Sequence, residues 1–252
     1  MGFFDWNKRI AQRIEGWYLQ GLNMESAYKQ VIQDHTKADS LILDAGAGKR
    51  CIYAREGMHI VGADVLSSDL AQNHDIEYAV ATDLSSGFPF RSESFDAITA
   101  CYFMEHIPDT DKFIRNATTV LKPNGRIFLL FPCRYAPFAI VNRILPNRWT
   151  VGLLRGFLKD SKGGFPATYT KCWPSGMRKV LERSGFRIIY QKVCHYQAFY
   201  CAAFLPLYLL CLAYDAATRA AGIETLASSV VMVAQKIDHC SARTEQRQPL
   251  NS

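Results

Sequence analysis

The chain has 252 residues, 49% of them hydrophobic and 21% charged. That composition excludes wholesale disorder and collagen-like or coiled-coil chains, and the length fits one ordinary domain with a sizeable core. The net charge of +6 is unevenly placed: residues 134–192 hold twelve Lys/Arg against Asp160 and Glu182, while the rest of the chain nets −4.

In chain order, residues 3–18 come first. Phe3, Trp6, Ile10, Ile14 and Trp17 recur at spacings of three and four, which predicts an amphipathic helix. It either packs on the domain or, with Lys8, Arg9 and Arg13 beside its aromatic face, lies in a membrane interface. The first six residues lack a basic stretch followed by an apolar one, so no signal peptide is expected. Trp6 stands where N-myristoylation wants Ser or Thr, so Gly2 is not expected to be acylated.

From Ser40 short apolar runs alternate with helical patterns. Strands are expected at 40–44, 59–64, 77–80, 95–100 and 125–131, and helices at Cys51–Glu56 and Thr110–Leu121. Such alternation makes a parallel sheet covered on both faces. Past Pro132 the rhythm breaks into a Gly- and Pro-rich stretch with many basic and aromatic side chains. It resumes with a helix at Pro174–Ser184, Gly185 as its cap, and a strand at Phe186–Val193. Residues 193–214 then form the longest run without Lys, Arg, Asp or Glu. A last strand covers 229–236, and a polar tail from 237 is expected to be disordered.

The run 193–214 is long enough to span a bilayer. It lies between two strands that must pair in one sheet, so a single crossing is excluded. Pro206 splits it, which predicts a helical hairpin that is interfacial, packed on the domain, or a contact with a second subunit. The eight cysteines show no CxxC pair and read as reduced thiols of a cytoplasmic protein, with no metal site.

The chemistry gathers at strand ends. Asp44 closes the first strand and leads into Ala45-Gly46-Ala47-Gly48, where glycines let a ligand approach the backbone. Asp64 closes the second strand, where a carboxylate can accept both hydroxyls of a ribose. Asp83 follows the third. A dinucleotide site would want a third glycine, and Gly48 is followed by Lys49-Arg50-Cys51. A phosphate-free ligand with a sulfonium and an amino-acid end suits an acid at Asp44 better.

With these motifs the sequence resembles the class I S-adenosylmethionine-dependent methyltransferases of the type 11 branch. The matching pieces are Leu43–Gly48, Val61–Asp64, Ala81–Leu84, Phe88-Pro89-Phe90, Ser94–Ile98, Met104–Ile107 and Val120–Arg126. Gly185-Phe186 and the final strand extend the match to about residue 236. The resemblance implies a Rossmann-like, seven-stranded, mostly parallel sheet with an antiparallel last strand, helices on both faces and an apolar helical insertion before that strand. It implies S-adenosyl-L-methionine as cofactor, with Asp44, Ala45, Gly46 and Gly48 at its methionine part, Asp64 at the ribose, Asp83 and Leu84 at the adenine, and Cys101 at the fourth strand's end. The family's third glycine is Arg50 here, which leaves the shape of the turn open.

His106, just past the fourth strand, is a candidate general base, against the alternative that Glu105-His106 caps the next helix. Cys101-Tyr102-Phe103-Met104 stands where enzymes that methylate nucleic-acid amino groups carry an Asn-Pro-Pro-Tyr-like motif, which argues against a DNA base. The expected organisation is an N-terminal helical segment at 1–36, a methyltransferase domain at 37–236 and a tail at 237–252. Within the domain, 133–172 is a basic substrate lid, with Arg134 and Tyr169 as substrate candidates, and 195–226 the apolar insertion. Basic residues interleaved with aromatics suit phosphate, a nucleic-acid backbone or an anionic membrane surface. The expectation is a peripheral enzyme on the membrane's inner face, methylating a small or lipid-linked anionic acceptor. The alternatives are a soluble metabolite methyltransferase that dimerises through the apolar segment, a non-catalytic binding protein, and an RNA methyltransferase.

Overall fold

A computed structural model describes residues 3–18, 23–144 and 167–238. Two helices open the chain, α1 (Phe3–Tyr18) and α2 (Met24–His35), the latter capped by Asn23, whose side chain accepts from the Ser26 amide. Seven strands follow: β1 (Leu41–Ala45), β2 (His59–Asp64), β3 (Tyr78–Ala81), β4 (Phe95–Cys101), β5 (Leu121–Pro132), β6 (Phe186–Cys194) and β7 (Ser229–Lys236). Between them lie α3 (Ser67–Leu70), α4 (Thr110–Val120), α5 (Pro137–Ile144), α6 (Pro174–Arg183) and α7 (Leu205–Ala220).

The strands form one sheet in the order β3-β2-β1-β4-β5-β7-β6. All neighbours are parallel except β7, which runs antiparallel to both β5 and β6. Successive residues of the central strands feed opposite faces, as the period of two demands. Leu43, Ile98, Ile127 and Leu129 pack under α4 and α6, whereas Ile42, Ala97, Phe128 and Leu130 pack under α2 and α7. Both faces being covered, the strands read as continuous apolar runs.

Two expectations need correction. Cys51–Glu56 is not a helix but a series of turns. Its apolar residues Cys51 and Tyr53 are buried all the same, and the Cys51 amide donates to Asp75 Oδ2 at 2.9 Å, outside any helical pattern. The segment 193–214 is not a hairpin split at Pro206. A 3₁₀ turn at Ala198–Cys201 leads into α7, and Pro206 stands in its first turn, where a missing N–H costs nothing. The helix runs on past Ala216, because Asp215 turns inward to accept from the Gln197 and Ala198 amides at 2.8 and 3.0 Å. Helix α1 packs on the domain through Asn7, Ala11 and Ile14: Asn7 donates to the Ala203 carbonyl at 3.0 Å, Ile14 packs against the core, and Trp6 is half exposed.

Most of the expected basic lid, with Arg148, Arg155, Lys159, Lys162, Trp149, Phe157 and Phe165, lies outside the described residues, as does the tail from residue 239.

Candidate active site

The carboxyl ends of β1, β2, β3 and β4 meet at one edge, as a parallel sheet with its strand order reversing between β1 and β4 requires. Asp44 and Ala45 end β1. Gly46 follows with φ +73°, donating to the Ala63 carbonyl at 2.8 Å. A Cβ there would lie 2.4 Å from Phe103 Cδ2, so only glycine lets this ring close on the turn. Gly48, at φ +48°, has open space where a Cβ would stand.

Asp64, half-buried at the end of β2, braces this turn. Its Oδ2 accepts from the Gly48 amide at 3.1 Å and its Oδ1 from the Leu66 amide at 2.9 Å. Asn73 holds the other side, donating to the Ala47 and Gly48 carbonyls at 3.1 and 3.2 Å. Asp83 sits one strand further out and caps its own turn, accepting from the Ser85 amide and the Ser86 hydroxyl at 2.9 Å each. The Ser85 bonds hold its carboxyl below the usual range. Leu84 beside it is buried in the core, so its backbone is what the crevice can meet.

Asp44 lies beneath the turn, only 4% exposed. Cys51 Sγ donates to its Oδ2 at 2.9 Å and Thr99 Oγ1 to its Oδ1 at 2.7 Å, while the Tyr53 hydroxyl reaches Thr99 at 2.8 Å. Burial raises its pKa to about 6, against the pull of these donors. This carboxyl therefore anchors the floor of the site through a relay from Tyr53. Cys101, at the end of β4, is half-buried, and burial raises its thiol pKa beyond physiological pH. It is inert as a nucleophile.

On the acceptor side, Glu105 is buried at 6% exposure in the turn Met104–His106. Its Oε2 has no hydrogen-bond partner, and burial raises its pKa to about 8. His106 Nε2 lies 4.0 Å from Glu105 Oε1. The Glu105 carbonyl accepts from the Thr168 and Tyr169 amides at 2.7 and 3.0 Å. The chain returning from the basic segment is thus bound to the end of β4. Arg134 secures the same return, donating to the carbonyls of Thr168 and Tyr169 at 3.5 and 3.4 Å. Tyr102, Tyr169 and Lys171 all adopt positive φ, a strained state for non-glycine residues that gathers at functional sites.

The fold thus brings Asp44, Gly46, Gly48 and Asp64 into one bonded unit, with Asp83 and Cys101 on neighbouring strand ends. Glu105, His106, Arg134 and Tyr169 form a second unit beside it. Sequence reasoning missed Asn73 and Thr99, which carry no motif, and passed over Glu105 as a helix cap. An acid inside Phe103-Met104-Glu105-His106-Ile107 was the available signal. Among the described residues no group of His, Cys, Asp and Glu is placed to hold a metal.

The donor set fits S-adenosylmethionine: a left-handed glycine turn and an acid at each of three strand ends. A family model described as a methyltransferase domain matches residues 43–129, about a third of the chain. The ubiquinone biosynthesis O-methyltransferase of Xanthomonas axonopodis pv. citri is 35% identical over 104 residues, covering 36% of this chain and 43% of that protein. The protein of the same name from Coxiella burnetii is 28% identical over 179 residues, covering 62% and 71%. The chain thus spans less than half the length of the first of these relatives. A cyclopropane synthase of Mycobacterium tuberculosis shares the fold at a TM-score of 0.53 and 14% identity, over 86% of this chain and 87% of its own. Residues 43–129 are matched to a methyltransferase domain, and the seven-stranded sheet that holds them has the fold of that neighbour.

Proposed function

We propose that the protein transfers a methyl group from S-adenosylmethionine to a small or lipid-linked, anionic acceptor at a membrane surface. The observation that carries this reading is the pairing of the two units: a braced glycine turn with its strand-end acids, and beside it a buried carboxyl whose Oε2 lacks a donor. When bound, S-adenosylmethionine supplies a methyl group on a cationic sulfonium. The chain's own part is alignment and proton handling. Gly46 and Gly48 admit the amino-acid end to the backbone, Asp64 receives the ribose hydroxyls in exchange for one of its amide bonds, and Asp83 with the Leu84 backbone borders the adenine.

Glu105 is the group we assign to hold the acceptor's exchangeable proton, at Oε2. Burial raises this carboxyl to about 8, so at neutral pH only its ionised minority acts as base, and that fraction grows as pH rises towards 8. His106, the first candidate from sequence, stands as its neighbour. Arg134 and Tyr169 position the return of the substrate-side segment. The names of the relatives favour an oxygen atom as acceptor and a quinone precursor as its class. The +10 charge of residues 134–192 favours an anionic group on the acceptor or on the surface that presents it.

The test supplies methyl-labelled S-adenosylmethionine to the protein with separated lipid, RNA and metabolite fractions. Label in the lipid fraction is expected. Label confined to water-soluble metabolites would favour the soluble reading, with α7 as a subunit contact, and label in RNA would overturn the acceptor class.

A further inference from the structure

Helix α1 meets the rest of the molecule along one edge of its apolar stripe, at Ile14, and leaves Trp6 of that stripe exposed. Its contacts run along Asn7, Ala11, Ile14 and Glu15: Asn7 bonds the Ala203 carbonyl, Tyr208 donates to the Ala11 carbonyl at 3.4 Å, Ile14 packs against the core, and Tyr196 donates to Glu15 at 2.5 Å. At about 100° per residue, the stripe of Trp6 and Ile10 is turned roughly a quarter circle away from those contacts. Trp6 is left 50% exposed and Ile10 half-buried, with Arg9 and Arg13 exposed next to them.

Helix α7, bonded to α1 through Tyr208, repeats the pattern. Its inward line is Tyr208, Asp215 and Thr218. Its outward side over the first two turns is Leu207, Leu209 and Leu210, the last 67% exposed, preceded by the exposed Phe204. No charge interrupts the sequence from 193 to 214, and the first acid, Asp215, is buried. The apolar surface continues to α5, because Tyr200 stacks on Phe138 with ring centroids 4.9 Å apart. There Val141 and Ile144 are exposed, the latter at 73%, beside the exposed Arg143. Leaving several large apolar side chains in water on adjoining elements is costly and marks a docking surface.

We infer that α1 and the amino-terminal half of α7 form a monotopic anchor that seats the protein on an anionic bilayer. Composition selects this occupant over a second copy: tryptophan and branched apolar residues flanked by arginines match the acyl boundary and the anionic headgroups above it. No described helix is long and apolar enough to cross a membrane, so the two helices lie in the interface. The inference deepens the proposed function and rests on it only for what the seated site does. It would bring the neighbourhood of Tyr200 and Glu105 to the surface from which a lipid-linked acceptor must come.

The test is co-sedimentation of the full chain with vesicles of phosphatidylcholine alone or with a third phosphatidylglycerol. Binding to the anionic vesicles is expected, weakening as salt rises from 50 to about 200 mM because surface charges are screened. The Leu207→Glu/Leu210→Glu protein should lose at least tenfold in vesicle affinity. Both positions are exposed, so its far-ultraviolet circular dichroism and S-adenosylmethionine affinity should match the wild type. Failure of the wild type to sediment at low salt would overturn the anchor, as would wild-type binding by the double variant. A wild-type dimer that the double substitution dissociates, with no vesicle binding, would overturn it in favour of a second copy. If the protein binds vesicles but not S-adenosylmethionine, the proposed function falls and the anchor stands.

Discussion

The two halves of the candidate site are built on different terms. On the cofactor side the polar side chains of the braced turn are satisfied by the chain itself: Asp64 by two amides, Asp44 by Cys51 and Thr99, Asn73 by two carbonyls. On the acceptor side the carboxyl of Glu105 has an oxygen without a donor, and Tyr102 and Tyr169, on the flanking segments, adopt positive φ. A buried carboxyl without a donor costs stability, and such defects persist where a ligand completes them. The comparison teaches that the first half is internally satisfied, whereas the second keeps one buried carboxyl oxygen unpaired, which the proposed function assigns to the acceptor.

The sharpest way to separate the halves is Glu105→Gln. Methyl transfer should fall by about 10²–10⁴-fold, the usual worth of a general base, while cofactor affinity is unchanged. The same substitution should stabilise the fold. Folding raises this carboxyl to about 8, so between the ordinary carboxylate range and pH 8 the folded state holds more protons than the unfolded one. Its contribution to stability therefore falls as pH rises across that window. Melts of the wild type and of the Glu105→Gln protein should diverge upward from about pH 5, reaching a few kcal/mol near pH 8. A constant difference would show that the carboxyl does not titrate there.

Gly46→Ala attacks the internally satisfied half. The new Cβ meets Phe103 in a backbone state side chains rarely adopt. We expect cofactor affinity to drop at least about 100-fold, with on the order of 1–3 kcal/mol of strain. Adding Phe103→Ala should recover part of the loss, since it removes the clash but not the φ penalty. Calorimetric titration reads both.

Thr99→Val should have the smallest effect. It strips Asp44 of one donor and the Tyr53 hydroxyl of its Thr99 partner, for about 1–3 kcal/mol in a urea melt. It should also raise Asp44 further above about 6. An unchanged melt would mean that the relay does not brace the turn.

Much of this was legible in the sequence, for physical reasons. The seven strands, their order of appearance and the acids at their ends announce themselves, because a doubly covered sheet needs unbroken apolar runs and its binding edge needs polar ends. The stretch Cys51–Glu56 misled because burial alone does not make a helix: Cys51 and Tyr53 face the core from turns pinned by Asp75 and Thr99. Pro206 misled because a proline that breaks a helix interior also starts a helix well. The packing face of α1 was legible only in part: Ile14 of the stripe packs against the core, whereas the bonds made by Asn7 and Ala11 carry no apolar period. Glu105 needed the fold, because its burial and the bonds of the Thr168–Tyr169 segment to its backbone carbonyl arise from residues about sixty positions away.

The division of labour between the two halves is tested most directly by calorimetric titration of S-adenosylmethionine into the wild type, Asp64→Ala and Glu105→Gln proteins. The account predicts binding by the wild type, equal binding by Glu105→Gln, and a loss of about 10–100-fold for Asp64→Ala, the worth of one charge-assisted hydrogen-bonding group. Absence of binding by the wild type, or equal affinity for all three proteins, would contradict it.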